Sequence, residues 1–500
     1  MNLSELLRDG EYVSSHRAEE IEFSFITHET DRLKSGCLFV CLCGTNTDTH
    51  YLAARIASAR PAAVIVERES EFAPYPDLPI FRVESTRLAL ARLWSRFYRE
   101  PERELRVIGI TGTNGKTSTA HMLSSILRQA GYSVATLGTV GCELDGRPIE
   151  DDEDAPGAYR TKTMTTPDPD VLYRYLRKSV DGGADFAVME VSSHSLSLSK
   201  VDTIRFELGI FTNISPEHLD FHRTMDDYLS AKARLFSMCD VGLFNADDRA
   251  TDELISRASC KALTCGILWQ GDFRAEEIVS LGESGSEYNL ICENFKEKIK
   301  LPIPGATSIY NSLMAISAAI LLGIPPQIAC DAAAKLKHTE GRLEVVPHEA
   351  DSEFSVIIDY AHTEAALRSL LRTTRTLLRP GGRLILLFGC GGDRDRSKRA
   401  PMGEAAEELA DLTIVTSDNP RTEEPMRIIL DIIRGMPDKN KRRVILDRRE
   451  AIKYAVSIAR KNDILLLAGK GHEKYELINN KRNHFDEREI VRAAVNEKYN

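Results

Sequence analysis

The stretch Arg106–Thr119, RVIGITGTNGKTST, decides the fold. Val107, Ile108 and Ile110 form a short apolar run suited to a buried strand, and it leads directly into a turn that contains Gly112 and Gly115. Met122, Leu123, Ile126 and Leu127 then recur at helical spacing, with Gly131 as the stop signal. A strand, a glycine-rich turn and a helix in this order suit a polyphosphate. Backbone N–H groups of Gly112, Thr113, Asn114 and Gly115 face the anion, Lys116 adds a point charge, and the Thr117 hydroxyl is offered to Mg²⁺. The usual G-x-x-x-x-G-K spacing needs a glycine at 110, where Ile110 stands, so the motif is compressed to Gly112 through Thr117. The reading is an ATP site, with Mg²⁺, on an α/β framework.

Outward from this strand the chain keeps alternating strand and helix patterns. Its 500 residues suggest about three domains. The first hundred residues carry CLFVCLCG, LAARIASAR and AAVIVE, a small α/β unit. The charged segment Tyr98 to Arg106 reads as a linker. ADFAVMEVSS and FELGIFTNIS read as further strands of the central region, with chemistry at their polar C-terminal ends. The acidic stretch Glu143 to Asp154 reads as a solvated loop. FSVIIDYAH, RLILLFGCGG, LTIVTSDNP and DILLLAGKGH are four apolar strands of a third unit that begins near Glu344, facing the ATP site. The expectation is three α/β domains: 1–105 N-terminal, 106–343 a central P-loop-type ATPase domain, and 344–500 a C-terminal Rossmann-like domain.

Composition sets outer bounds. The chain is 42% apolar and 28% charged, with a formal charge of −10, which argues against a nucleic-acid surface. No run resembles a signal peptide or a membrane span, so a cytoplasmic protein without membrane insertion is expected. Ten cysteines without a C-x-x-C pair read as buried free thiols.

Glu190 ends an apolar strand, where a carboxylate can hold the Mg²⁺ of a nucleotide, and His218 lies just past another strand end, placed for a second metal ion. On residue type alone, Lys232 and Asn311 read as ordinary helix residues, Lys232 solvated.

TGTNGKT resembles the ATP loop of the Mur ligases and their folylpolyglutamate synthase relatives. The resemblance extends over the whole chain through TTPDP (Thr165–Pro169), EVSSHSL (Glu190–Leu196), NISPEHLDFHRTMDDYLSAKARLF (Asn213–Phe236), DYAHT (Asp359–Thr363), FGCGGDRDRSKR (Phe388–Arg399) and AGKGHE (Ala468–Glu473). It implies the branch that adds the third residue of the peptidoglycan stem, working through an acyl phosphate, with a monomer expected. The implied substrates are UDP-N-acetylmuramoyl-L-alanyl-D-glutamate and meso-diaminopimelate. Lys116, Lys232 and His218 become the implied catalytic residues, Lys232 as a carbamate that joins Thr117, Glu190 and His218 around Mg²⁺. Asn311 is implied at adenine, Arg342 at the phosphates and Asp359 at the ribose. Thr165, Thr166, Ser192 and Lys200 fall on the nucleotide-peptide contacts, as do Thr30 and His50 in the N-terminal unit.

Three positions depart from the family pattern: Lys200 stands for an arginine, Ser308 for an asparagine, and Glu29-Thr30-Asp31 for D-S-R. DNPR, Asp418, Asn419 and Arg421 with the intervening proline, implies recognition of diaminopimelate, because a guanidinium fork holds the distal carboxylate that lysine lacks. Arg394, Gly469 and Glu473 are its implied partners, Glu473 pairing with the distal ammonium. The rival readings are a lysine-adding ligase, which Arg421 opposes, a folylpolyglutamate synthase, which lacks DNPR, and a nucleotide-binding regulatory protein that has lost catalysis.

Overall fold

The computed structural model describes residues 1–44, 47–150, 164–293, 295–348, 353–479 and 481–499. Four short parallel strands open the chain: β1 (Ile26–Thr27), β2 (Leu38–Val40), β3 (Ala63–Val66) and β4 (Ile80–Arg82). The helix Thr86–Phe97 follows and buries Leu90, Leu93 and Trp94. Ser85 starts it by accepting the Leu88 N–H at 3.3 Å, a normal N-cap.

The expected linker is a firmly held crossing. Pro101 and Glu102 are buried in a short 3₁₀ turn, and Glu102 takes a hydrogen bond from Ser95. One continuous apolar core runs from Leu3, Phe81 and Trp94 across to Val107, Leu172, Met189 and Phe206, so the first sheet shares its core with one face of the second.

That second sheet has eleven strands: β5 (Arg106–Thr111), β6 (Val134–Gly138), β7 (Gly141–Leu144), β8 (Arg147–Pro148), β9 (Phe186–Glu190), β10 (Phe206–Phe211), β11 (Cys239–Asn245), β12 (Lys261–Gly266), β13 (Phe273–Ser280), β14 (Ser286–Cys292) and β15 (Phe295–Leu301). β5 lies between β9 and β10, parallel to both, and every residue from Val107 to Thr111 is buried. A run buried on both faces is what a central parallel strand requires. The sheet is parallel from β13 to β6 and is extended by antiparallel strands at both edges.

β7 and β8 correct the reading of an acidic loop from Glu143. The segment is an edge hairpin on β6, with Glu143 half-buried and burial pushing its carboxyl upward. Residues 151–154 of that stretch lie outside the described residues.

The third sheet holds β16 (Glu344–Val345), β17 (Ser355–Asp359), β18 (Leu384–Phe388), β19 (Leu412–Val415), β20 (Arg442–Val444) and β21 (Ile464–Ala468) in the order β16-β17-β21-β18-β19-β20. All but β16 run parallel. A hairpin of β22 (Tyr475–Ile478) and β23 (Lys481–His484) and the helix Glu487–Tyr499 complete the chain. Among the described residues all ten cysteines are free, and no helix is long and apolar enough to cross a membrane.

Candidate active site

The turn after β5 is gripped from the strand next to it. Thr212 and Asn213, just past β10, make three bonds to Asn114: Thr212 Oγ1 and Asn213 Nδ2 donate to its carbonyl at 2.6 and 3.0 Å, and its N–H donates to Asn213 Oδ1 at 3.0 Å. The Thr113 N–H adds a bond to the Asn213 carbonyl at 2.8 Å. Gly112 (φ 148°) and Gly115 (φ 85°) occupy backbone regions that favour glycine. A Cβ on Gly112 would lie 1.9 Å from Thr212 Oγ1, and one on Gly115 would lie 2.6 Å from Asn311 Oδ1. Asn311 is therefore buried against the loop, contrary to its reading as an ordinary helix residue.

Lys116 folds back over the turn and donates to the carbonyls of Gly112 and Thr113, both at 2.8 Å. Burial lowers its ammonium's pKa, and Glu190 and Glu217 partly offset that.

Glu190 is the hub. The Thr117 hydroxyl lies 3.0 Å from each of its carboxylate oxygens, the Thr139 N–H donates to Oε1 at 2.8 Å, and Thr139 Oγ1 is 3.2 Å from Oε2. Thr139 Oγ1 is also 3.2 Å from Thr165 Oγ1. Thr166 donates to the Glu190 carbonyl at 2.9 Å and accepts the Ser192 N–H at 2.9 Å. One network thus joins the turn after β5 to the ends of β6 and β9 and to the TTPDP segment. Thr139 was missed in the sequence, although its place after TLG matches that of Glu190 after FAVM: a polar residue at a strand's carboxyl end.

Lys200 forms an ion pair with Asp168 of TTPDP at 2.7 Å. His218 has positive φ (57°) and caps the short helix Leu219–His222. Its ring meets His194 edge-on at 4.7 Å, and burial, with Lys116 and Lys232 nearby, lowers its pKa. Glu217, also missed, is the carboxylate whose charge opposes those cations.

Lys232 overturns its reading as a solvated lysine. It is 1% exposed in the last turn of the helix Met225–Ala233, with Nζ 4.4 Å from the Tyr228 ring centroid. Among the described residues no carboxylate reaches ion-pair distance of Nζ. Burial and then the Lys116 charge press its pKa well below the ordinary value, which favours the neutral amine.

A second constellation gathers at the carboxyl ends of the third sheet. Asn419 Nδ2 donates to Glu473 Oε2 at 2.7 Å, and its Oδ1 accepts from Lys470 Nζ at 3.1 Å and from the Leu477 N–H at 2.9 Å. Lys470 of AGKGHE is fully buried. Burial pushes the Asp418 carboxyl up, but Lys470 and Arg448 outweigh it and leave the pKa lowered, whereas burial beside Asp418 leaves that of Glu473 raised. A Cβ on Gly469 would lie 2.6 Å from Asp418 Oδ2. Arg421 Nη1 donates to the Gly392 carbonyl at 2.8 Å, while its remaining guanidinium nitrogens have no partner among the described residues. Arg394 is exposed, and its stem lies with the Arg421 guanidinium beside Gly391.

Arg342 is where the two constellations touch. Its Nη2 donates to Thr117 Oγ1 at 3.3 Å, and its guanidinium carbon lies 4.7 Å from the Tyr360 ring centroid. Asp359 accepts the Leu343 and Ala361 N–H groups, both at 2.8 Å, and so braces the chain beside Arg342.

In the N-terminal unit, Thr30 is half-buried and its carbonyl accepts from Arg55 at 3.0 Å. His50 is buried in the same unit. It is 0% exposed, its Nδ1 is 2.6 Å from Asp48 Oδ1, and its Nε2 accepts the Glu67 N–H at 3.0 Å. Both ring nitrogens are used within the protein, so the side chain braces the loop that the sequence assigns to the nucleotide peptide. Cys43, Asp48 and His50 cluster closely enough to suggest a metal, but Asp48 is also paired with Arg68. Burial raises the Asp48 carboxyl's pKa, but hydrogen bonds from His50 and Arg68 outweigh this and hold it at about 2.

Residues 110–319 match the model of the Mur ligase middle domain, and residues 341–471 that of the Mur ligase glutamate ligase domain. The chain is 39% identical over 498 residues to a UDP-N-acetylmuramoyl-L-alanyl-D-glutamate--2,6-diaminopimelate ligase of Clostridium botulinum, covering 99% of this chain and 100% of that protein. It is 36% identical to the enzyme of the same description from Bacillus licheniformis, covering 99% of each. A solved structure of a ligase with that description superposes with a TM-score of 0.68 at 30% identity, covering 100% of this chain and 99% of that one. A Mycobacterium tuberculosis folylpolyglutamate synthase shares the fold at a TM-score of 0.63 and 17% identity, over 82% of this chain and 94% of that one. The chain belongs to the Mur ligase family.

Proposed function

We propose that this chain is an ATP-dependent ligase that joins meso-diaminopimelate to UDP-N-acetylmuramoyl-L-alanyl-D-glutamate. The observation that carries the proposal is the Thr117–Glu190–Thr139–Thr165 network, which links the phosphate loop through successive hydrogen bonds to the segment assigned to the nucleotide peptide. The γ-carboxylate oxygen of the D-glutamyl unit attacks the γ-phosphorus of ATP, the bond to the β-phosphate oxygen breaks, and ADP leaves an acyl phosphate. The amine of diaminopimelate attacks that carbonyl carbon, inorganic phosphate departs, and the amine's proton passes to solvent. Lys116 supports the transferring phosphoryl charge, and the fixed strand ends hold the reactants in line.

The residues present fit Mg²⁺, because Thr117 and Glu190 offer hard oxygen donors to one point. Thr117, Glu190, His218 and a carbamylated Lys232 would hold it, and the ion would neutralise phosphate charge. A neutral buried amine is what carbamylation needs. Its nitrogen attacks the carbon of CO₂, one proton is released, and the neutral amine becomes an anionic carbamate.

We assign Asn311, Arg342 and Asp359 to the nucleotide, with Thr30, Thr165, Thr166, Ser192 and Lys200 contacting the nucleotide peptide. Arg394, Asp418, Asn419, Arg421, Gly469 and Glu473 are assigned to diaminopimelate. The proposed domains are 1–105, 106–343 and 344–500.

The test is phosphate release by purified protein with a panel of amino acids. Release should require ATP, the nucleotide peptide and an amino acid together, with meso-diaminopimelate preferred over lysine by orders of magnitude. Release without either acceptor substrate would refute the ligase assignment.

A further inference from the structure

The segment that carries Arg342 is held in place from the far end of the chain. The Gly341 N–H donates to Glu344 Oε2 at 2.6 Å, and the Leu343 N–H donates to Asp359 at 2.8 Å, so the peptide groups on both sides of Arg342 are fixed. Gly341 has φ 69°, and a Cβ there would lie 2.1 Å from the His472 nitrogen, so this crossing is pressed against the AGKGHE turn. Glu344 is in turn gripped by Arg488 in the C-terminal helix: Nε donates to Oε1 at 2.8 Å and Nη2 bonds Oε2. Arg488 Nη2 also reaches the Gly471 carbonyl at 3.2 Å, and Nη1 lies 3.4 Å from Asp486 Oδ1. Lys474 holds the adjacent Glu340 at 2.7 Å. A bidentate arginine fixes its carboxylate in direction as well as distance. Arg342 Nε is buried without a hydrogen-bond partner among the described residues, so beyond its Thr117 and Tyr360 contacts the aim of the side chain depends on where the backbone holds it.

We propose that Arg488 is a positioning residue for the nucleotide: through Glu344 it fixes the Gly341 peptide and so aims Arg342 at the phosphate loop. The proposal rests on the reading of that loop as the ATP site.

The test is a double-mutant cycle on the full chain, with the dissociation constant of MgATP measured by calorimetric titration, and kcat, the KM values and Tm measured alongside. Arg488→Met and Arg342→Ala should each weaken MgATP binding by about tenfold, and the double variant should lose little beyond Arg342→Ala, because residues acting in one chain are not additive. The KM for the amino acid should stay within about twofold in Arg488→Met, since a remote misplacement of the phosphate contact costs rate and ATP binding first. Arg488→Lys should recover part of the loss, having one of the two bonds. If Arg488→Met does not fold, Glu344→Gln replaces it in the cycle and should show the same pattern.

Losses that multiply in the double variant, or a lowered Tm with unchanged MgATP affinity, would overturn the proposal. Wild-type protein that binds MgATP but ligates nothing would defeat the ligase assignment alone and leave this cycle decisive. Wild-type protein that does not bind MgATP would overturn both.

Discussion

Lys232 shows what a single buried amine can hide from a sequence. Lysine is normally a surface residue, and residue type and spacing alone do not set this one apart; the family resemblance of the block ending in AKARLF did. Its burial comes from the helix Met225–Ala233 packing on the helix Ser193–Ser197, a long-range event that local pattern does not encode. Lys232→Ala should be nearly inactive in the ligation assay, and added CO₂ should not restore it, because alanine has no amine to modify; normal turnover would exclude the carbamate role. Burial lowers the amine's pKa, so the free base that carbamylation needs forms at a lower pH than in an exposed lysine. Lys116→Ala should abolish ligation with little change in Tm, since the ammonium's two bonds go to turn carbonyls and the turn is independently gripped by Asn213. DNPR suggested Arg421 as a ligand contact because strand-end arginines suit carboxylates, and only its Nη1 has hydrogen-bond partners among the described residues. Arg421→Ala should lower kcat/KM for diaminopimelate by about thirtyfold or more while sparing the KM for ATP, as expected when a buried charge-assisted contact is lost. His50 shows the opposite case: a histidine in a loop looks free in the sequence, but both its ring nitrogens are engaged within the protein.

Among the elements, the strand–turn–helix from Arg106 was readable because a both-faces-buried strand, two glycines and a periodic helix all point to one local structure. The same reasoning found β9 and β10 and four of the five parallel strands of the third sheet, missing the short β20. It failed at β7 and β8, where Glu143 and Asp145, at the start of the stretch that suggested a loop, belong to an edge hairpin, and edge strands tolerate charge. It also missed Thr139, the residue by which the end of β6 reaches Glu190. Thr139→Val keeps the main-chain bond to Glu190 and loses the hydroxyl, so the Mg²⁺ concentration for half-maximal activity should rise by roughly tenfold, the worth of one hydrogen bond to a charged group. A Mg²⁺ titration at saturating ATP would show it, and an unchanged requirement would remove Thr139 from the site.

At the scale of the whole molecule, three sheets were foreseen, but not that the first two share one core. Composition and motif order divide a chain into units without saying which apolar faces meet. This shared core can be followed optically, because the chain has only two tryptophans. Trp94 is 3% exposed between Phe97 and Tyr98, and its indole N–H has no hydrogen-bond partner among the described residues. Trp269 is 69% exposed and already emits as an indole in water. A denaturant-induced red shift of the emission is therefore a signal from Trp94, and it reports the N-terminal sheet. Since that sheet and β5 lie on one continuous core, the red shift and the loss of MgATP binding should fall at the same denaturant concentration. Separate midpoints would show that the two sheets come apart independently despite their common interior.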